Sequence, residues 1–464
     1  MSATITIALF GIIPVAMLIV ACVRGPAGII AAYLAGWLLL PPIGGYNLPG
    51  LPPYTKHAAV TIAVLLSMIV FRPNVLLSYR PRWFDLPMVV WCVAPFFSSI
   101  YNGLGVYDGL SSIYGQLTLW GFPYLIGRTA FADPASARVL AIGLFVGGLV
   151  YILPCLWEIR MSPQLNRWVY GEHASKFHMT QRLGGYRPVV FMKHGIELGM
   201  WMTAASLTGL WLWLAGDVKR VFNMPIKWAA LGLLVVTIMC RSLGSLALLA
   251  LGVAGLLAAR AHPAGRMVLV ALVLLTPLYI SARISDAWHG EELLQISEAI
   301  DPARAVSLQG RLDGEEAVLE RARQRPLFGW GGHDGGRAHA DDGDLLAVDG
   351  MWVIYFGKFG LLGVVSLYVA MLLQPLLLLM GLSRPREVVM HPAAPLAVIV
   401  TLFALNSLMN GFPCPIFIVG LGAVAAASRW KGSDLAAAVA TRISGESPLG
   451  LAVRPRIAKV ERIA

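Results

Sequence analysis

Three arginines far apart in the chain, Arg182, Arg241 and Arg311, and one carboxylate, Asp349, are the side chains best suited to chemistry. A guanidinium group stays charged at any physiological pH, and its planar fork matches the paired oxygens of a phosphate. Converging on one phosphate-bearing group, the three arginines would hold it and stabilise charge developing there. Asp349 is a group able to take a proton from a hydroxyl. Two other acceptors stand close in sequence, His339 and Asp344, in a stretch that also holds His333, Asp334, Asp341 and Asp342. That stretch lacks the ordered spacing of a calcium-binding loop, so no metal is expected. The alternatives are ion pairs within the acid-rich stretch 284–349 for Arg311, and a snorkelling position at the membrane boundary for Arg241.

The elements that must carry these residues are membrane spans. Only 13% of the 464 residues are charged and the mean hydropathy is +0.70, well outside the range of soluble domains. The apolar residues come in runs long enough to cross a bilayer core as helices. Thirteen spans are expected, at about 5–23, 27–43, 57–71, 84–101, 113–130, 138–157, 195–215, 225–240, 242–259, 266–283, 350–380, 394–410 and 413–428. No Lys or Arg precedes the first run, so it reads as a retained helix and not a cleaved leader. The five cysteines (22, 92, 155, 240 and 414) show neither ligand spacing nor a paired framework and read as small buried hydrophobes.

The net charge of +11 is explained by topology and not by nucleic-acid binding. The short loops 72–82, 216–227, 260–266 and 381–393 and the tail from 429 are rich in Lys and Arg. All fall on the cytoplasmic side if the N-terminus lies outside and the C-terminus inside. The fold class expected is therefore all-α integral membrane, with about 12–13 transmembrane helices. Residues 1–428 form one polytopic domain, and 429–464 form a basic cytoplasmic tail. Two long loops, about 158–194 and 284–349, fall on the outer face. The first is basic although it lies on the side where basic loops are disfavoured, which suits an anionic ligand. In the second, 311–325 reads as an amphipathic helix with Leu312, Leu319 and Ala322 near one face and Pro326 as its stop. The Pro326–Gly332 run PLFGWGG is a glycine-rich turn expected to let backbone approach a ligand closely.

Several short segments resemble the O-antigen ligase and polymerase superfamily, membrane glycosyltransferases with a GT-C-type helical fold. Gly310-Arg311, Arg321 and Pro326-Leu327-Phe328-Gly329-Trp330-Gly331 resemble its outer-loop motif. Asp349-Gly350-Met351-Trp352 followed by Gly360-Leu361-Leu362-Gly363 resembles the next helix start. Arg241-Ser242 resembles an arginine–serine element in reversed order, and Arg182-Leu183-Gly184-Gly185-Tyr186-Arg187-Pro188 resembles the upstream basic loop. The resemblance covers roughly residues 110–425. It implies an inner-membrane enzyme acting on an undecaprenyl-pyrophosphate-linked glycan. Asp349 and Arg311 would be catalytic, Arg182, Arg187 and Arg241 would bind pyrophosphate, and no cofactor or metal would take part. A chain-length regulator or export complex would be a partner. Ligases of this superfamily carry His followed by Asn where this chain has Asp349-Gly350, which favours a polymerase over transfer to a lipid acceptor. A polysaccharide transporter or flippase is the alternative from another class; it expects intramembrane charges on several helices.

Overall fold

The structure, a computed structural model, describes residues 3–47, 51–182, 184–216, 218–300, 302–332, 335–337, 348–382, 385–428 and 430. It is built almost wholly of helices; the strands are three two-residue hairpins. In chain order the main helices are α1 (Ala3–Cys22), α2 (Pro26–Leu39), α3 (Lys56–Phe71), α4 (Leu86–Tyr101), α5 (Val106–Gln116), α6 (Phe122–Ala130) and α7 (Pro134–Met161). They continue as α8 (Gly195–Ala215), α9 (Ile226–Met239), α10 (Leu243–Ala261), α11 (Arg266–Ile284), α12 (Glu291–Ile300), α13 (Pro302–Arg323), α14 (Met351–Gly381), α15 (Ala394–Met409) and α16 (Pro415–Ala427).

Each of the thirteen apolar runs is occupied by helix, α5 and α6 joining through one π-helical stretch, Leu117–Gly121. Seven helices among the described residues are long and apolar enough to cross a membrane, and five shorter apolar helices, such as α2 and α9, pack among them. The outward surface fits a bilayer: Ile7, Leu153 and Leu278 are each more than 60% exposed, and water would not tolerate such a belt of large aliphatic side chains. The chain is a multi-pass membrane protein.

Inside, small residues let helix backbones approach, as is usual where lipid already solvates the apolar faces. A Cβ at Gly127 would fall 2.0 Å from the carbonyl oxygen of Val419, and one at Gly422 would fall 2.2 Å from that of Tyr124, so α6 and α16 cross in direct backbone contact. Next to this crossing the buried Arg128 donates to Asp85 at 3.0 Å, and Tyr124 donates to the same carboxylate. This pair satisfies two charges that burial would otherwise make very costly. Four cysteines are buried and unbridged as expected; Cys22 departs from the expectation and is exposed at the end of α1.

Helix α14 is broken at Gly360, whose φ of +63° is left-handed. The glycine-rich run lies against this break. Leu361 and Leu362 donate to the carbonyls of Pro326 and Leu327, and Trp330 and Gly331 donate to those of Gly357 and Lys358. A Cβ on Gly329 would meet Lys358 C at 2.6 Å, and one on Gly360 would meet Leu327 C at 2.4 Å. The close approach expected of this run is thus to the helix backbone and not to a ligand. Ser98 of α4 and Asn102 just beyond its end secure the other side, donating to the carbonyls of Phe328 and Gly329. Arg321 and Arg325 sit over the ring of Trp330, at 4.6 and 4.1 Å.

Residues 284–349 are not a plain loop, since α12 and α13 fill much of them. Leu312, Val318, Leu319 and Ala322 are buried, which places the apolar face of α13 as its spacing predicts. His333, Asp334, His339, Asp341, Asp342 and Asp344 lie outside the described residues, as do 429 and 431–464 of the expected tail.

Candidate functional site

Arg182 stands in a short hairpin where Gln181 pairs with Tyr186 and Arg182 with Gly185. Gly184, at φ +70°, makes the turn possible. Arg241 occupies the break between α9 and α10. Its own φ is +54°, a left-handed value that an arginine adopts only where its surroundings enforce it. Its Nη1 donates to the carbonyl of Arg182 at 2.8 Å. The guanidinium lies against Gly185, where a Cβ would fall 2.2 Å from Nη1. Arg187 is buried, and its Nη2 donates to the carbonyl of Arg241 at 3.1 Å. Its aliphatic stem crosses Gly195, where a Cβ would come 2.1 Å from Cδ. Two glycines therefore make the berths of two arginines.

Arg311 comes from α13, and its Nε contacts Asp349 Oδ2 at 3.3 Å. Both side chains are partly exposed. The ion pair considered as an alternative for Arg311 does form, with the other candidate residue as its partner. Arg182, Arg187, Arg241, Arg311 and Asp349 all line one cavity of about 920 Å³. Its walls also include Asn406 and Asn410 at the end of α15, Phe412, and Ser242 and Ser245 at the start of α10. The close approach of α10 to α8 is set by Gly199, where a Cβ would touch Ser245 Oγ at 2.6 Å.

His194 stands beside these arginines in the cavity wall. It caps α8, its Nδ1 accepting from Ile196 N–H at 3.1 Å, and its ring stacks on Phe412 with centroids 5.3 Å apart. Burial and the charges of Arg187, Arg182 and Arg311 push its pKa down to about 4. With Nδ1 accepting, the neutral ring carries its proton on Nε2, which makes it a hydrogen-bond donor across the neutral pH range.

Several charged groups nearby serve structure. Arg283 donates to Glu315 at 2.8 Å and meets Glu316 at 3.2 Å; Arg323 reaches Glu316 at 2.9 Å and Asp286 at 2.8 Å. Asp286, His289 and Glu316 stand close enough to share a cation. Arg283 and Arg323 already pair with both carboxylates of this cluster and with Glu315, so it is an ion-pair network tying α11 to α13.

The sequence reading omitted His194, Asn406, Asn410 and three buried ionisable residues in or at the ends of apolar helices: Lys56, Glu158 and Glu197. The signal for Lys56 and Glu197 was their position at the first turn of an apolar run, where an ionisable residue deserves attention by default. His194 also directly precedes an apolar run, but a lone histidine at a span boundary carries little signal by itself. No protein-family model and no curated protein matches the chain.

Proposed function

We propose that the chain is a membrane glycosyltransferase that polymerises undecaprenyl-pyrophosphate-linked oligosaccharide on the outer face of a bacterial inner membrane. The single observation that carries this reading is the gathering of Arg182, Arg187, Arg241 and Arg311 around one cavity that also holds Asp349. The resemblance to the O-antigen ligase and polymerase superfamily, with its GT-C-type fold, supplies the substrate class. All thirteen apolar helical segments cross the bilayer in this reading. The N-terminus is periplasmic, the C-terminus cytoplasmic, and the cavity opens to the periplasm. The loops rich in Lys and Arg then lie inside.

In the reaction, an acceptor sugar hydroxyl oxygen attacks the anomeric carbon of the donor. The bond from that carbon to the pyrophosphate oxygen breaks, and the anomeric centre inverts. The lipid pyrophosphate leaves with the electron pair. Arg182, Arg187 and Arg241 hold its oxygens, and the Nε2–H of His194 adds a neutral donor. Asp349 accepts the hydroxyl proton. Arg311, which contacts Asp349 at 3.3 Å, turns to the incoming pyrophosphate and leaves the carboxylate open to the acceptor hydroxyl, so donor binding and exposure of the base are coupled. A polymerase is favoured over a ligase because Asp349-Gly350 departs from the ligase pattern. A chain-length regulator or export complex is the expected partner.

Polymer length in cells of the native host tests this. Arg311→Ala and Asp349→Asn should abolish polymer at normal protein level, the second through a loss of about 10²–10⁴ in rate. Arg311→Lys should fail to rescue, since a point charge cannot replace the fork. Lipid-linked repeat units should collect on the outer membrane face, whereas a flippase defect would leave them inside. Normal polymer in either variant would remove these residues from the site.

A further inference from the structure

Residues 188–193 are neither helix nor solvent loop. Pro188, Val189, Val190 and Met192 are buried, yet none lies in a regular element. Buried backbone without helix or sheet partners must find other ones, above all at the edge of a membrane domain. Here it finds ionisable side chains from three different helices. Glu158, 1% exposed at the end of α7, accepts from Val189 N–H and Val190 N–H at 2.7 Å each through one oxygen, and from Leu165 N–H at 3.1 Å through the other. Lys56, 3% exposed at the start of α3, donates to the carbonyl of Phe191 at 2.7 Å and lies over the Trp37 ring. Glu197 in the first turn of α8 accepts from Lys193 N–H at 2.8 Å.

Three charges directed at one six-residue stretch of backbone exceed what packing alone requires, and the stretch is strained. Val190 has φ +54°, a conformation costly for a β-branched residue and kept only where several contacts enforce it. Glu158 holds the amide of Val190 itself and the amide of the residue before it. At the two ends of the stretch stand Arg187 and His194, both in the cavity wall.

We propose that Glu158, Lys56 and Glu197 are positioning residues: they fix the backbone of 188–193 so that Arg187 and His194 face a bound pyrophosphate group together. This rests on the reading of the cavity as an anion site. The three residues touch no ligand themselves. They act through the segment, and Arg187 passes the constraint on by donating to the backbone of Arg241.

Two measurements on the full chain in lipid nanodiscs test this. The first is hydrogen exchange of the unmodified protein. Val189 and Val190 amides should exchange as slowly as those of α7 and α8, and in Glu158→Leu at least tens of times faster. Exchange as fast as in the exposed turn at 171–175 would overturn the proposal whatever the cavity binds. The second is calorimetric titration with inorganic pyrophosphate. Glu158→Leu should bind it on the order of tenfold more weakly, because two buried amides lose their acceptor and the segment relaxes. Glu158→Gln still offers an oxygen to both amides and should bind about fivefold more tightly than Glu158→Leu. Equal affinities for the Leu variant and the parent, or for the Leu and Gln variants, would overturn it. Protein with slow amides but no affinity for pyrophosphate would instead sink the anion-site reading and leave the positioning of the segment intact.

Discussion

Replacing Gly185 by alanine separates the position of Arg241 from its charge. The new methyl carbon would fall 2.2 Å from Nη1 and 2.5 Å from Cζ and Nη2 of Arg241. The φ of Gly185 is not left-handed, so the backbone accepts alanine and the guanidinium must move. Moving it breaks the 2.8 Å bond to the Arg182 carbonyl, a partly exposed contact worth about 1 kcal/mol. Thermal stability should therefore change by only a few degrees. Binding should change more. A charge-assisted hydrogen bond to phosphate contributes about 1.5–3 kcal/mol, or roughly 10- to 150-fold in affinity. The displaced guanidinium keeps its charge near the cavity and retains the Coulombic share, so the expected loss for Gly185→Ala lies at the lower end, about tenfold. Arg241→Ala, which removes charge and fork together, should lose more. The assay is titration of pyrophosphate into the purified chain at fixed ionic strength, since the affinity of a cationic site falls with salt. If Gly185→Ala binds within about twofold of the parent while Arg241→Ala does not, the orientation of the guanidinium is irrelevant and the berth argument fails.

His194 gives a pH prediction. Its folded pKa is lowered to about 4 from 6.5, so between those values the unfolded chain takes up a proton that the folded chain does not. Its contribution to stability is whole above pH 6.5 and is lost as pH falls toward 4; His194→Gln should flatten the melting-temperature profile of the chain over that window. Gly360→Ala forces alanine into φ +63° and drives its Cβ to 2.4 Å from the backbone of Leu327. It should cost more than about 3 kcal/mol and show as lost folded protein in detergent, whereas Gly232→Ala on α9, with open space around it, should be neutral or slightly stabilising.

The helices were legible because apolar runs of membrane length leave the backbone little choice. The breaks at Arg241 and at 411–413 were legible too, since a charge or a proline interrupts each run. Arg241 could be marked as a candidate because an arginine interrupting an apolar run has few inexpensive places to go, and Arg182 and Arg311 because they stand in the two long polar loops. That the fork of Arg241 is held by the carbonyl of Arg182 was not readable. The contact spans 59 positions and depends on a glycine with no side chain to announce it. The glycine-rich run at 326–332 shows the opposite failure. Its composition marked close approach correctly but could not say to what. The partner, Gly360, was noted only as part of a separate motif. His194 and the buried charges around 188–193 were missed because their meaning lies in which backbone groups they meet.

The pairing of 326–331 with the broken helix also bears on biosynthesis. The ribosome completes the glycine-rich run before it begins residues 357–362, the run's hydrogen-bond partners. Until α14 has emerged and bent at Gly360, the carbonyls of Pro326 and Leu327 and the amides of Trp330 and Gly331 must remain solvated. The glycine-rich segment therefore matures late, its final seating timed by the arrival of a helix encoded downstream.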